Sequence, residues 1–366
     1  MKILSVFGTR PEAVKMAPVV KLLEATAGIE SRVCVTAQHR QMLDQVLHLF
    51  EIKPDYDLDL MREDQSLAQL SASIFTNLDP VLEDFKPDWV LAQGDTTTVA
   101  ITALLTYFHR VKFGHVEAGL RTHDKWQPFP EEINRRVAGI SADLHFAPTQ
   151  WAKDNLLREG VDEKLIKVTG NTVIDALQFV SKQPEPQEIT QLLKTKLQNK
   201  KLILVTAHRR ENFGEAMENI CKALVELAKQ KDVEIVYPVH LNPNVQEPVN
   251  RLLKDVEHLT LLPPLDYLPL VHLMKHATLI LTDSGGIQEE APAFGIPTLV
   301  LRDVTERPEG VAAGTLKLVG TETNSIVRAA KRLLEDETEY KKMAQAVNPY
   351  GNGHAAKEII QALLSL

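Results

Sequence analysis

Cysteine is almost missing from this chain: only Cys34 and Cys221 occur in 366 residues, both inside apolar segments. That excludes a disulfide framework and fits a reducing cytoplasm. Two thiols without a clustered set of histidines do not make a zinc site either, so no metal is expected. No long Lys/Arg run appears and the formal net charge is -8. This argues against a nucleic-acid surface while leaving room for a local basic pocket that holds phosphates. No apolar run approaches the ~20 residues that span a bilayer, so membrane insertion is not expected. The opening MKILSVFGTRPE reaches its turn too soon for a signal peptide. Short-period repeats and low-complexity tracts are absent. So is a GxGxxG after the first strand, for which FGTRPE is a poor substitute, and no nicotinamide or other cofactor is indicated.

What remains is ordinary soluble composition, 44% hydrophobic and 25% charged, in a chain long enough for two domains. Short apolar runs alternate with longer helical patterns such as Val14–Ala25 and Val99–His109. The first-half runs are Lys2–Phe7, Arg32–Thr36, Trp89–Ala92, Lys112–Val116, Leu144–Ala147 and Ile166–Thr169. The second-half runs are Leu202–Thr206, Glu234–Pro238, Leu259–Leu262, Thr278–Leu281, Thr298–Leu301 and Leu316–Val319. They are near-continuously apolar, as parallel strands covered on both faces must be. The pattern predicts an α/β protein of two doubly wound, Rossmann-like domains facing across a cleft. SKQPEPQEI, with Pro184 and Pro186, reads as the linker. The expected division is 1–180, 190–350, and an amphipathic helix at 351–366 that packs back on the first domain.

In such folds ligands bind beyond the carboxyl ends of the strands, so the polar residues there are the candidates. The richest stretch is LTDSGGIQEEAPAFGIPTLVLRDVTERPEG, Leu281 to Gly310. Ser284 is placed to cap a helix, and Gly285 and Gly286 let backbone N–H groups approach an anion, which suits a diphosphate. Glu290 projects from the same helix end and can accept from the two hydroxyls of a ribose. Arg307 adds a cation. LVTAHRRENFG sets His208, Arg209 and Arg210 after a strand, a good phosphate or leaving-group site. His240 follows the next strand, and Tyr267 or Leu270 could lie against a flat base.

In the first half, Thr9, Pro11 and Glu12 form a helix start with a capping box. That leaves Arg10 and Lys15 unexplained, and two cations near a helix N-terminus favour an anionic ligand. Asp95 follows a strand and by itself reads equally well as an N-cap. Glu117, before Ala-Gly, has no capping role. Glu131 and Glu132 open a helix, where Glu131–Arg135 and Glu132–Arg136 would be i,i+4 pairs. Together Asp95, Glu117 and Glu131 are equipment for removing and returning a proton, because several acids in one pocket push their pKa values apart.

The strings GTRPEAVKMAP, QGDTTT, HVEAGLRT, PFPEEINRR, VTGNTVIDAL, TAHRREN, PVHLNP and DSGGIQEEAPAFGIP with LRDVTERPE resemble the non-hydrolysing bacterial UDP-N-acetylglucosamine 2-epimerases. The resemblance runs from Arg10 to Arg307. It implies a glycosyltransferase-B fold, a homodimer, and interconversion of UDP-N-acetylglucosamine and UDP-N-acetylmannosamine for surface polysaccharide synthesis. It carries Arg10, Lys15, Asp95, Glu117, Glu131 and His208 into the active site, and Ser284, Gly285, Gly286, Glu290 and Arg307 into UDP contacts. Gln38, Gln41 and Arg209 or Arg210 resemble a second, activating substrate site, beside the plainer reading of an arginine pair on phosphate. A GT-B glycosyltransferase, a hydrolysing epimerase and a non-enzymatic nucleotide-sugar sensor are the alternatives. Several acids facing the sugar are more than a transferase needs, and a sensor leaves them unexplained.

Overall fold

Short runs rich in Val, Ile and Leu become strands, the central ones buried on both faces, and among the described residues the strand pairs of both sheets are parallel. The structure, a computed structural model, describes all residues except Gln38, His39, Met61, Glu63 and Leu366, and omits the side chain of Gln41. It divides into two units, Met1–Phe179 with Tyr350–Leu366, and Val180–Pro349.

The first unit contains β1 (Lys2–Phe7), β2 (Glu30–Val35), β3 (Tyr56–Asp57), β4 (Trp89–Gln93), β5 (Lys112–Val116), β6 (Leu144–Ala147) and β7 (Ile166–Val168). They lie in the order β3-β2-β1-β4-β5-β6-β7. The second unit contains β8 (Lys201–Thr206), β9 (Val233–Pro238), β10 (Leu259–Leu262), β11 (Leu279–Thr282), β12 (Thr298–Val300) and β13 (Leu316–Leu318). Their order is β10-β9-β8-β11-β12-β13. Each sheet therefore reverses its winding once, between β1 and β4 and between β8 and β11. Crevices for ligands open at such switch points. The predicted strands are present with ends displaced by one or two residues. The two-residue β3 was not foreseen, because Tyr56 and Asp57 carry no apolar run.

Helix Arg10–Glu24 starts with the capping box that its sequence announces, Thr9 and Glu12 each bonding the other's backbone N–H. Its apolar face, including Met16, Val20 and Leu23, is buried. Helix Ala355–Leu364 packs against it and buries Ala355, Ala356, Ile359, Ile360 and Leu363. Asp175 caps this last helix, accepting from the N–H groups of Ala355 at 3.1 Å and Ala356 at 3.0 Å. The proline-bearing segment after Val180 is anchored within the second unit. Glu185 accepts from the Thr190 hydroxyl at 2.6 Å and meets His276 Nε2 at 2.7 Å, and a helix begins at Gln187.

One glycine fixes how β5 leads into its loop. Gly119 has φ +92°, and a Cβ there would lie 2.2 Å from the carbonyl oxygen of Ala152 in helix Gln150–Arg158. Gly160, just past the same helix, has φ +88° but open space around it. Gly119→Ala is expected to lower the unfolding free energy by about 3 kcal/mol and Gly160→Ala by about 1 kcal/mol. Urea unfolding followed by circular dichroism measures both, and equal losses would rule out the Ala152 approach as the cause.

Candidate active site

Two acids of the first unit, Asp95 and Glu117, follow adjoining strands, β4 and β5. Glu117, just beyond β5, has φ +64°. The left-handed conformation turns its carboxylate back among donors, costing about 1–2 kcal/mol that the donors must offset. Those donors are Lys15 Nζ, Gln93 Nε2 at 2.9 Å and Asn171 Nδ2 at 2.9 Å. Lys15 is thus explained by a carboxylate in this chain, with its side chain 12% exposed.

Asp95 does not cap the next helix; Thr96 does, accepting from Val99 N. Asp95 instead pairs with Arg135. Arg135 also meets the buried Glu132, at 3.4 Å, and Glu132 meets Arg136 at the same distance. The Glu131–Arg135 pair expected from spacing is therefore replaced by Asp95–Arg135: a buried guanidinium takes the partner at the strand end. Glu131 opens helix Glu131–Ser141, and its Oε2 is buried with no hydrogen-bond partner among the described residues. Arg10 is half-buried at the start of its helix and makes no hydrogen bond to the described residues.

Glu12, which the sequence assigns to a cap, goes further. It accepts from Gly8 N at 2.8 Å, Thr9 N at 2.7 Å and the Thr96 hydroxyl at 2.5 Å, bolting the β1 and β4 ends together across the switch point. Burial pushes its carboxyl pKa up against these donors. His115 Nε2 meets the Gly94 carbonyl at 2.7 Å and so braces the residue before Asp95.

In the second unit the organising group is Asp283, fully buried past β11. One oxygen accepts from His208 N and Arg209 N at 2.8 Å each and from Asn212 Nδ2 at 3.0 Å. The other lies 3.6 Å from His208 Nδ1. The His208 ring stacks on His240, with centroids 5.1 Å apart. His240 accepts from Asn242 N at 3.1 Å.

Arg209 and Arg307 converge over the diglycine turn. A Cβ on Gly285 would lie 3.5 Å from a guanidinium nitrogen of Arg209 and 3.7 Å from one of Arg307. Arg307 is anchored by the buried Glu289. Ser284 occupies the N-cap position but makes no side-chain cap bond, correcting the expectation from its type. Helix Gly285–Glu290 is six residues long. Its dipole is small, and the anion-attracting charge is that of the two arginines. Glu290 folds back over this turn, its Oε1 3.5 Å from where a Gly286 Cβ would be, and it accepts from the Tyr267 hydroxyl at 3.1 Å. Leu270 is half-buried in helix Tyr267–His276, and Arg210 is exposed at the start of a short 3-10 turn. Gln38 lies outside the described residues; Gln41 belongs to helix Arg40–Leu49, its side chain being undescribed.

The sequence reading missed Gln93, Asn171, Arg135 and Asp283 as site residues. All four lie within motif strings, so a signal was present; what the strings do not show is which distant residue each one bonds.

Two doubly wound units with their polar groups at the switch points define a nucleotide-sugar enzyme fold of glycosyltransferase-B type. Within that class the chain belongs to the UDP-N-acetylglucosamine 2-epimerase family, whose pattern matches residues 21–364. It is 58% identical to the UDP-N-acetylglucosamine 2-epimerase of Yersinia pestis over 99% of this chain and 98% of that protein. It is 56% identical to that of Salmonella typhimurium over 100% and 99% of the two chains. The crystal structure of UDP-GlcNAc 2-epimerase from Neisseria meningitidis bound to UDP-GlcNAc superposes with a TM-score of 0.90, at 52% identity and covering 100% of both chains.

Burial sets a pH signature on the first unit. It pushes His115 down to about 3, with His145, Arg121 and Arg135 adding to the effect against the Gly94 carbonyl. It pushes His145 down to about 4, helped by Arg121. Unfolded histidines titrate near ~6.5, so the stability tied to these neutral rings is complete above that pH. It is lost as pH falls towards 4, by at most about 1.4 kcal/mol per pH unit for each ring. The expected result is a steeper fall in wild type than in His145→Phe between pH 7 and 4.5, read from urea midpoints. Parallel curves would show that His145 carries no such linkage.

Proposed function

We propose that this enzyme interconverts UDP-N-acetylglucosamine and UDP-N-acetylmannosamine by eliminating UDP and adding it back. What supports the reading is the contrast between the units: guanidinium groups over a diglycine turn in one, and in the other the carboxylates of Asp95 and Glu117 after adjoining strands, with Glu131 at the start of a helix. No hydride carrier is needed. C2 neighbours the anomeric carbon, which bears the leaving group. As the C1–O bond breaks, positive charge at C1 acidifies the C2 proton. Its removal leaves a 2-acetamidoglucal and UDP. Re-addition of UDP, with a proton delivered to the other face of C2, gives the epimer.

Arg209, Arg307 and the Gly285–Gly286 backbone hold the diphosphate and stabilise the charge it gains on leaving. His208, oriented by Asp283 and His240, assists the leaving oxygen. Glu290 receives the ribose hydroxyls. Asp95 takes the C2 proton and Glu131, with its unpartnered oxygen, returns one. Glu117, fixed by Lys15, Gln93 and Asn171, faces the developing cation. The product feeds surface polysaccharide synthesis in the cytoplasm, where the two buried thiols, Cys34 and Cys221, stay reduced.

Turnover of UDP-N-acetylglucosamine in D2O, followed by proton NMR, is expected to give UDP-N-acetylmannosamine carrying deuterium at C2. Free N-acetylmannosamine, or product without label, would overturn the elimination route. Asp95→Asn is expected to lower kcat about 100-fold or more; near-normal turnover would remove Asp95 from the role of base.

The homodimer implied by the family is assigned here to the face of the first unit that exposes Tyr107 and Phe108, 70% and 64% accessible, with Phe75 stacked on Phe108. Exposed aromatics are what interface cores are enriched in. Sedimentation of the Tyr107→Glu, Phe108→Glu variant is expected to show a monomer. An intact dimer would move the interface elsewhere.

A further inference from the structure

The proposed reaction gives Tyr267 no task. The residue is half-buried and opens helix Tyr267–His276, a place that suits stacking on a flat base. The structure turns it to another use. Its hydroxyl donates to Glu290 Oε2 at 3.1 Å, across 23 residues of sequence. The other oxygen of the same carboxylate, Oε1, lies 3.5 Å from where a Gly286 Cβ would be, over the diglycine turn. Glu290 thus has one oxygen on a phenol and the other beside the turn where the two arginines converge.

Both ends of this contact are fixed in place. Helix Tyr267–His276 is anchored by the buried Pro269, Val271, Leu273 and Met274. Its first turn is closed by Leu270 N, which donates to the Asp266 carbonyl at 3.1 Å. Glu290 is 6% exposed and ends helix Gly285–Glu290, with Ala291 and Pro292 buried after it. A glutamate side chain nevertheless has three rotatable bonds, and ordering them when a ligand binds costs affinity. Tyrosine brings a rigid ring on two. Its hydroxyl is also a neutral donor. It orients the carboxylate while leaving the negative charge for ligand hydroxyls to donate to. A lysine or arginine in its place would orient Glu290 and neutralise it.

We propose that Tyr267 is a positioning residue that makes this site selective for ribonucleotides over deoxyribonucleotides. By holding Glu290 over the diglycine turn, it presents the carboxylate to the 2′-hydroxyl of a ribose. This role rests on the reading of Glu290 as the ribose acceptor. A nucleotide without that hydroxyl leaves a desolvated carboxylate short of a donor. Sites built to hydrogen-bond a hydroxyl reject the analogue lacking it more strongly than apolar pockets reject a change of size.

Calorimetric titration of the full chain with UDP and with 2′-deoxy-UDP gives the ratio of the two affinities in wild type, Tyr267→Phe and Glu290→Ala. Wild type is expected to favour UDP by about 10- to 100-fold, the range for a hydrogen bond to a charged group. Glu290→Ala is expected to bring the ratio to about one, and Tyr267→Phe to reduce it about fivefold. Phenylalanine keeps the ring and removes only the hydroxyl, and the ratio cancels any general loss of affinity. A Tyr267→Phe chain that keeps the wild-type ratio, including one that weakens both nucleotides by the same factor, shows a packing role and overturns the proposal while the Glu290 reading survives. A wild type that binds the two nucleotides equally, or binds neither, overturns the Glu290 reading and the role of Tyr267 with it. So does a Glu290→Ala chain that keeps the wild-type ratio.

Discussion

A carboxylate removed from water must be surrounded by donors, and the second unit's site is arranged around that necessity at Asp283. The residue has no exposure, and one of its oxygens gathers two consecutive backbone N–H groups and an amide. Hydrogen bonds to a charged acceptor are each worth about 1.5–3 kcal/mol, and losing the donors would strand the charge. The chain after β8 therefore has little choice of path. His208 is placed above Asp283, Arg209 is sent over Gly285, and Asn212 closes the turn. Tyr237 supports the same turn from below, donating its hydroxyl to the Ala207 carbonyl at 2.7 Å. The first unit uses the same device at its own switch point. There Glu12 holds the turn after β1 and the start of the helix after β4.

Charge around the diglycine turn is balanced within the chain itself. Arg307 is paired with Glu289 and Arg302 with Glu211. Burial works to raise the Glu306 pKa, but Arg209, Arg302 and Arg307 outweigh it and hold that carboxyl below its usual range. The acids keep the guanidinium groups from repelling one another while fixing their directions. Under the proposed reaction, a diphosphate held there would meet donors that need little reorganisation, the condition under which electrostatic stabilisation of a leaving group is strongest.

How much of this was legible in the sequence follows from the range of each interaction. Local rules worked: apolar runs marked the strands, and the Thr9–Glu12 box marked a helix start. Polar residues after strands marked Lys15, Glu117, His208 and Arg307 as worth attention, since topology places strand ends at a crevice. Arg135 was read as the local partner of Glu131, yet it is buried and reaches Asp95, forty residues away in sequence. Asp283 reads as one more turn former before Ser-Gly-Gly, and its task depends on a segment 75 residues earlier. Gln93 and Asn171 were hidden because an amide declares nothing about its acceptor. Ser284 misled in the opposite direction: its type suits a cap, but its hydroxyl makes no cap bond.

The return of residues Tyr350–Leu366 to the first unit bears on the order in which the chain is made. A ribosome releases the seven strands of the first sheet early, but not the helix that covers Arg10–Glu24. Until Ala355–Leu364 emerges, the apolar face that receives it stays open to water, and Asp175 lacks the two N–H groups it caps. The second unit is synthesised entirely within that interval. The first unit to appear is thus the last to be finished, and for the length of 170 residues its exposed helix face is a place where a nascent chain can aggregate or be held by a chaperone.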